Sequence, residues 1–224
     1  MKTLFIILFF VSITAFSQNS NCKCFNSKLL ELKGAQPEFV FKLKNNQELN
    51  LCGFIQKKSE NEWIGSDFAI SDCQNGKLII ESSTNSVITY DSNTLSIIEM
   101  RFLRTGENWT EEIIPISFKE IYSRKDSLKI STKRPRLKKG LITKNRIDTF
   151  FIQMEEKIKK GESVNIILTL EKLETLSVIG NQKAFEFLLN FKSFFDLKEN
   201  ELYESKLKES IELSLSYKRN KNWL

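Results

Sequence analysis

Three sets of residues in this 224-residue chain have the type and spacing for chemistry: four cysteines, two adjacent glutamate pairs, and one run of lysines and arginines. Histidine is absent. A Ser-His-Asp or Cys-His arrangement therefore has no base. Histidine-ligated zinc, haem or non-haem iron has no ligand. The side chain that titrates nearest neutrality is also missing, so general base catalysis would fall to carboxylates or lysines. The eight glycines stand singly, and no G-x-G-x-x-G, G-x-x-x-x-G-K-[ST] or G-x-S-x-G run occurs.

Carboxylate chemistry passes this filter. Glycoside hydrolysis needs two carboxyls facing one sugar, and the visible pairs are Glu111-Glu112 and Glu155-Glu156. On a strand, Glu111 and Glu112 point to opposite faces. On a helix, Glu155 and Glu156 flank the apolar stripe and reach Lys159 and Lys160 at i+4, the pattern of a solvated face. A Ser–Lys nucleophile pair has no distinguishing signal, because both residues are abundant. The sequence therefore assigns no catalytic residue, no metal site and no cofactor, and it leans away from an enzyme.

The meaning of the cysteines depends on the compartment. Lys2 precedes an apolar run from Leu4 to Ile13, and Ala15-Phe16-Ser17 puts small residues at the −3 and −1 positions of a signal-peptidase site. Residues 1–17 are expected to be a signal peptide cut before Gln18. The stretch from Thr3 to Phe16 is shorter than the roughly 20 residues of a spanning helix. Asn19-Ser20-Asn21 is too polar for a lipid-anchor site at Cys22. The expected location is periplasmic or extracellular, with no transmembrane segment after cleavage. In such a compartment an even count of cysteines favours disulfides among Cys22, Cys24, Cys52 and Cys73. Two arrangements stay open: Cys52 tied to Cys73 across two strands, or Cys22 and Cys24 each joined to one of them, which staples the N-terminus to a sheet. A four-cysteine zinc site would want paired C-x-x-C knuckles, which are lacking.

The formal charge is +6, and its distribution is uneven. Between Arg124 and Lys160 there are 13 basic residues and 4 acidic ones, which leaves the rest of the chain net acidic. The densest part holds Lys133, Arg134, Arg136, Lys138, Lys139, Lys144 and Arg146 with no acid among them. A solvated connector is the plain reading. The sharper one is weak contact with a polyanion or an anionic membrane surface. The run has no aromatic residue on which bases could stack, and specific nucleic-acid binding is not expected. Asn108-Trp109-Thr110 has the pattern of an N-glycan acceptor, but Trp109 reads better as a packing residue.

These groups must be positioned by two kinds of structure. Phe39, Phe41 and Leu43 alternate with polar residues up to Asn45-Asn46-Gln47, and Leu49, Leu51 and Gly53 resume the pattern. Phe68 to Cys73 and Lys77 to Glu81 flank Gln74-Asn75-Gly76, and Val87 to Tyr90 and Leu95 to Phe102 flank Asp91-Ser92-Asn93. Ile113 to Ile121 carries Pro115 and reads as an edge strand. Further on, Ile147, Phe150, Phe151, Met154 and Ile158 share a helical face that stops at Gly161. Residues 162–179 form a wide apolar band, 184–191 a third helix after Gly180-Asn181, and 198–217 a fourth. The expected fold class is α+β. An N-terminal Cys-containing segment (18–35) leads into an antiparallel β domain (36–131), either a small sandwich or a barrel-like sheet. A basic connector (132–142), a bundle of about four helices (143–218) and a tail (219–224) follow.

Several runs in this layout are similar to those of a group of uncharacterised exported proteins of the Bacteroidota type. They are Leu51-Cys52-Gly53-Phe54, Phe68-x-Ile70-x-Asp72-Cys73, Arg104-Thr105-Gly106-Glu107-Asn108, the basic connector and Gly180-Asn181-x-Lys183-Ala184. The resemblance implies the same β-then-helical plan and adds no chemistry. The expectation is a non-catalytic exported protein that binds a protein or envelope partner. The alternatives are a carboxylate-dependent glycan hydrolase and weak polyanion binding through the connector.

Overall fold

The computed structural model describes residues 22–25, 27–28, 31, 33–125, 127–135, 137, 140–197 and 200–219. The predicted leader 1–17, the cut before Gln18, Arg136, Lys138, Lys139 and tail residues 220–224 lie outside the described residues. The chain is α+β. Eight strands come first: β1 (Phe39–Lys42), β2 (Glu48–Ser59), β3 (Glu62–Asp72), β4 (Leu78–Ser82), β5 (Ser86–Asp91), β6 (Thr94–Leu103), β7 (Glu112–Arg124) and β8 (Ser127–Lys133). They pair antiparallel in one sheet of order β1-β2-β3-β5-β6-β7-β8. β4 and β5 lie end to end along one edge of β3.

Alternation along each strand puts one set of apolar side chains on the inner face. Phe41 faces Leu49, Leu51 faces Ile70, Ile88 faces Ile97 and Leu95 faces Ile121. All are fully buried in one cluster with Trp63 and Phe68. The sheet coils to enclose this cluster. The Tyr90 hydroxyl on β5 donates to the Lys42 carbonyl on β1, although β2 and β3 lie between the two strands in the sheet. The Phe41 ring lies 5.3 Å from Tyr90 and edge-on to Trp63 at 5.2 Å. Of the two forms expected, the single sheet answers to the barrel-like one. Coiling brings β2 hard against β3 at a bulge, where a Cβ on Gly53 (φ +136) would lie 2.3 Å from the Asp67 carbonyl oxygen.

Two differences from the sequence reading have physical causes. The strand with Pro115 is not an edge strand throughout, since β8 pairs with Phe118–Arg124 of β7. Pro115 sits in the half of β7 that β8 does not reach, so its missing N–H leaves no ladder bond unmade. The sheet also runs on to Lys133, two residues into the stretch expected as connector.

The N-terminal segment is stapled to the sheet. Cys22 is bonded to Cys73 (Cα–Cα 4.9 Å) and Cys24 to Cys52 (Cα–Cα 5.9 Å). Of the two arrangements left open by the sequence, this is the one that joins both N-terminal cysteines to strands. Buried Asn50 reinforces it: its amide donates to the Lys23 carbonyl at 2.6 Å, and its oxygen accepts from Ser71 N at 3.0 Å.

Five helices follow: α1 (Lys144–Lys160), α2 (Ile166–Val178), α3 (Gln182–Leu189), the four-residue α4 (Phe191–Phe194) and α5 (Glu201–Arg219). Thr143, Asn165 and Asn181 cap the first three, each accepting from the backbone N–H three residues on. Their apolar faces close over Phe150, Phe151, Met154, Leu170, Leu173 and Leu188. No helix of the described residues is long and apolar enough to cross a membrane.

Candidate functional site

The ladder with β5 ends at Glu99 on β6, and the ladder with β8 starts only at Phe118 on β7. Between these limits Met100–Leu103 and Glu112–Pro115 pair only with each other. This two-stranded extension meets the helices. Its inner face presents Arg101 and Leu103, and its outer face Met100 and Phe102. Leu103 packs into a small core with Ile116, Val178 and Tyr217.

The charges gather here. Arg101 grips Glu174 of α2 with two bonds, Nε to Oε1 at 2.8 Å and Nη2 to Oε2 at 3.1 Å. Its third nitrogen, Nη1, reaches Glu209 of α5 at 2.7 Å. Glu174 is 1% exposed and also accepts from Ser210 Oγ at 2.5 Å, with Lys206 Nζ at 3.4 Å. Burial works against the Arg101 charge, but Glu174 and Glu209 outweigh it and hold its pKa above the ordinary value. One turn earlier on α2, Glu171 takes Arg104 at 2.7 Å, and Arg104 also holds Glu111 at 2.8 Å. The Arg104 backbone N–H donates to Thr175 Oγ1 at 2.9 Å. Glu171, Glu174 and Thr175 lie three and four residues apart, so one face of α2 supplies all three.

Two depressions flank this clasp. A polar cleft of about 430 Å³ is walled by Arg101, Arg104, Glu111, Glu171, Lys206 and Glu209 among others. An apolar groove of about 270 Å³ lies on the outer face, lined by Ile64, Val87, Met100, Phe102 and Ile113 among others. The two share Asn85, Met100, Arg101 and Phe102. Phe102 and Ile113 are register partners, 50% and 58% exposed. Ile64, Val87, Ile98 and Phe118 form one outer rung across β3, β5, β6 and β7.

No protein-family model, curated protein or solved structure matches this chain.

The chemistry open to the cleft therefore rests on its own geometry. Glu111 and Glu171 both bind Nη2 of Arg104. At 2.8 and 2.7 Å from one nitrogen, the two bound oxygens can be no more than about 5.5 Å apart, which puts the pair within reach of a retaining glycosidase spacing. The guanidinium, however, fills the space in which a glycosidic oxygen would sit. Among the described residues no group of three or more His, Cys, Asp or Glu side chains is placed to hold a metal ion.

The residues singled out in the sequence fall elsewhere or in other roles. Glu112 accepts from Thr105 Oγ1 at 2.6 Å, whereas Glu111, which precedes β7, pairs with Arg104. Glu155 pairs with Lys183 of α3 at 2.7 Å rather than with a lysine one turn along α1. Of the basic run, Arg146 turns inward: it donates to the Gly106 and Thr105 carbonyls at 2.9 and 3.0 Å and stacks on Trp109 at 4.7 Å. Arg134 lies over the Tyr217 ring at 5.3 Å. Lys133 pairs with Glu120 at 3.4 Å, and Lys144 is exposed. The four described members thus split between interior and surface. Arg101, Glu171, Glu174 and Glu209 were not singled out, and Arg104 only within a run that carries the resemblance. Their signal was Glu171 and Glu174 among the apolar residues of the 162–179 band, since a carboxylate on a buried face requires a cationic partner.

Proposed function

We propose that the protein is an exported, non-catalytic binding protein that meets a protein or envelope partner with the outer face of its sheet. The observation that carries this reading is the groove at Phe102 and Ile113, where two large apolar side chains are half exposed side by side. Patches of this kind, rimmed by polar residues, mark interaction sites. The rim is the clasp, whose ions are occupied with one another. Export is supported by the pattern of residues 1–17 and by the two disulfides, which persist in oxidising compartments. Retention of native periplasmic or medium proteins on the immobilised chain is expected to be lost in a Phe102→Asp/Ile113→Asp variant and kept in Glu171→Gln. Equal retention by the apolar-face variant contradicts the reading.

The close approach of Glu111 and Glu171 favours one other reading, glycan hydrolysis. It requires Arg104 to withdraw. Hydrolysis of a glycan panel that is abolished by Glu171→Gln, and by Glu111→Gln separately, would establish it in place of the first.

A further inference from the structure

A second cavity lies away from the clasp, between α1 and α2. It has a volume of about 150 Å³. Phe150, Met154, Val164 and Leu168 form its apolar walls, and Lys157 and Lys172 bring two ammonium groups to it. An apolar cavity of this order is large enough for a single benzene ring.

The electrostatics of this cavity are one-sided. Lys172 Nζ is held over two rings, 5.2 Å from the centre of Trp109 and 5.7 Å from that of Phe150. No carboxylate forms an ion pair with Lys172, Lys157 or Arg146 among the described residues. Arg146 spends two donors on neutral carbonyls, and its Nε is buried with no hydrogen-bond partner. Arg104, which also acts on Lys172, is already neutralised by Glu111 and Glu171. Two lysines without a carboxylate partner, Lys172 and the exposed Lys157, thus line a cavity whose apolar walls are edged by Gln153, Asn165 and Thr169, and Arg146 shares the Trp109 ring with Lys172. Burial first, and then Arg104, Lys157 and Arg146, hold the Lys172 pKa below that of an ordinary lysine. An anion in the cavity would relieve that repulsion.

We infer that the α1–α2 cavity is a binding site for a small organic carboxylate, with a ring-sized apolar body between Met154 and Leu168 and its head group on Lys172. The class follows from the two halves of the site. An inorganic anion would leave the apolar walls unused, and a neutral ring would leave the cations unneutralised.

Benzoate is the probe, and the readouts are the Met154 methyl and Lys172 side-chain NMR signals of the full chain. Benzoate is expected to shift both saturably at millimolar concentration and to raise the Lys172 pKa towards the ordinary lysine value. Benzamide, the same shape without charge, and the Lys172→Met chain with benzoate should each bind about tenfold more weakly or worse. Lys172→Arg keeps the charge and should retain most of the affinity. The inference is overturned by any of three results: no saturable benzoate shift, equal binding of benzamide, or inorganic phosphate reproducing the Lys172 shift as well as benzoate does. Benzoate binding undiminished in Lys172→Met likewise places the ligand elsewhere and overturns it.

Discussion

On its β2–β3 side the sheet is fastened to the N-terminal segment by Cys22–Cys73, Cys24–Cys52 and the buried amide of Asn50. On its β6–β7 side it is fastened to the helices by Arg101 and Arg104. The first fastening is covalent and indifferent to charge. The second is ionic and set beside a small apolar core of Leu103, Ile116, Val178 and Tyr217. The comparison separates what each can tolerate. A disulfide acts largely by restricting the unfolded chain, so its loss loosens the fold without leaving an unmet charge. The loss of one clasp partner strands a buried ion.

The sharpest way to break this contrast is Glu174→Leu, which leaves Arg101 facing the helices without its main carboxylate. It should cost about 3–5 kcal/mol in urea unfolding. Next is Cys24→Ser/Cys52→Ser, which opens a loop spanning 28 residues and should cost about 3 kcal/mol, measured in the same way. Salt should separate the two fastenings as well. Added sodium chloride is expected to leave the cost of the cysteine variant unchanged.

Tyr217 gives a smaller effect with a defined pH window. Its hydroxyl donates to the Ile116 carbonyl at 3.1 Å, and burial pushes its pKa up to about 12 although Arg134 pulls the other way. The unfolded tyrosine ionises near pH 10, so the folded state resists an ionisation that the unfolded state accepts. The stability this group provides is complete below pH 10 and is lost as pH rises from 10 towards 12, by up to about 2–3 kcal/mol. Tyr217→Phe should cost about 1 kcal/mol at neutral pH and flatten that loss. The smallest effect belongs to the exposed pair Lys192–Glu204 at 2.5 Å. Lys192→Met there should change stability by less than about 1 kcal/mol.

The elements were legible where local rules speak. Turns at Asn45-Asn46-Gln47, Gln74-Asn75-Gly76 and Asp91-Ser92-Asn93 separate alternating runs, and strands lie on both sides of each. Gly161 and Gly180-Asn181 punctuate the helices as expected. The outer half of the β2–β3 hairpin, through Gln56, Lys57 and Lys58, was not legible, because a strand exposed on its polar residues shows little alternation. The clasp was invisible for another reason. Arg101 and Glu174 are 73 residues apart, and nothing local to either names the other. The same holds for Glu111 and Glu171, whose approach depends on an arginine between them. The cysteines fell between these cases: their pairing as disulfides was legible, but their connectivity was not.

The central claim is that Arg101 and Glu174 act as one structural unit joining sheet to helices. A double-mutant cycle in urea with Arg101→Met, Glu174→Leu and both together tests it most directly. Each single change should cost about 3–5 kcal/mol, and the double variant should recover most of that, because an apolar pair can replace a buried ion pair without stranding a charge. Simple addition of the two costs would contradict the account.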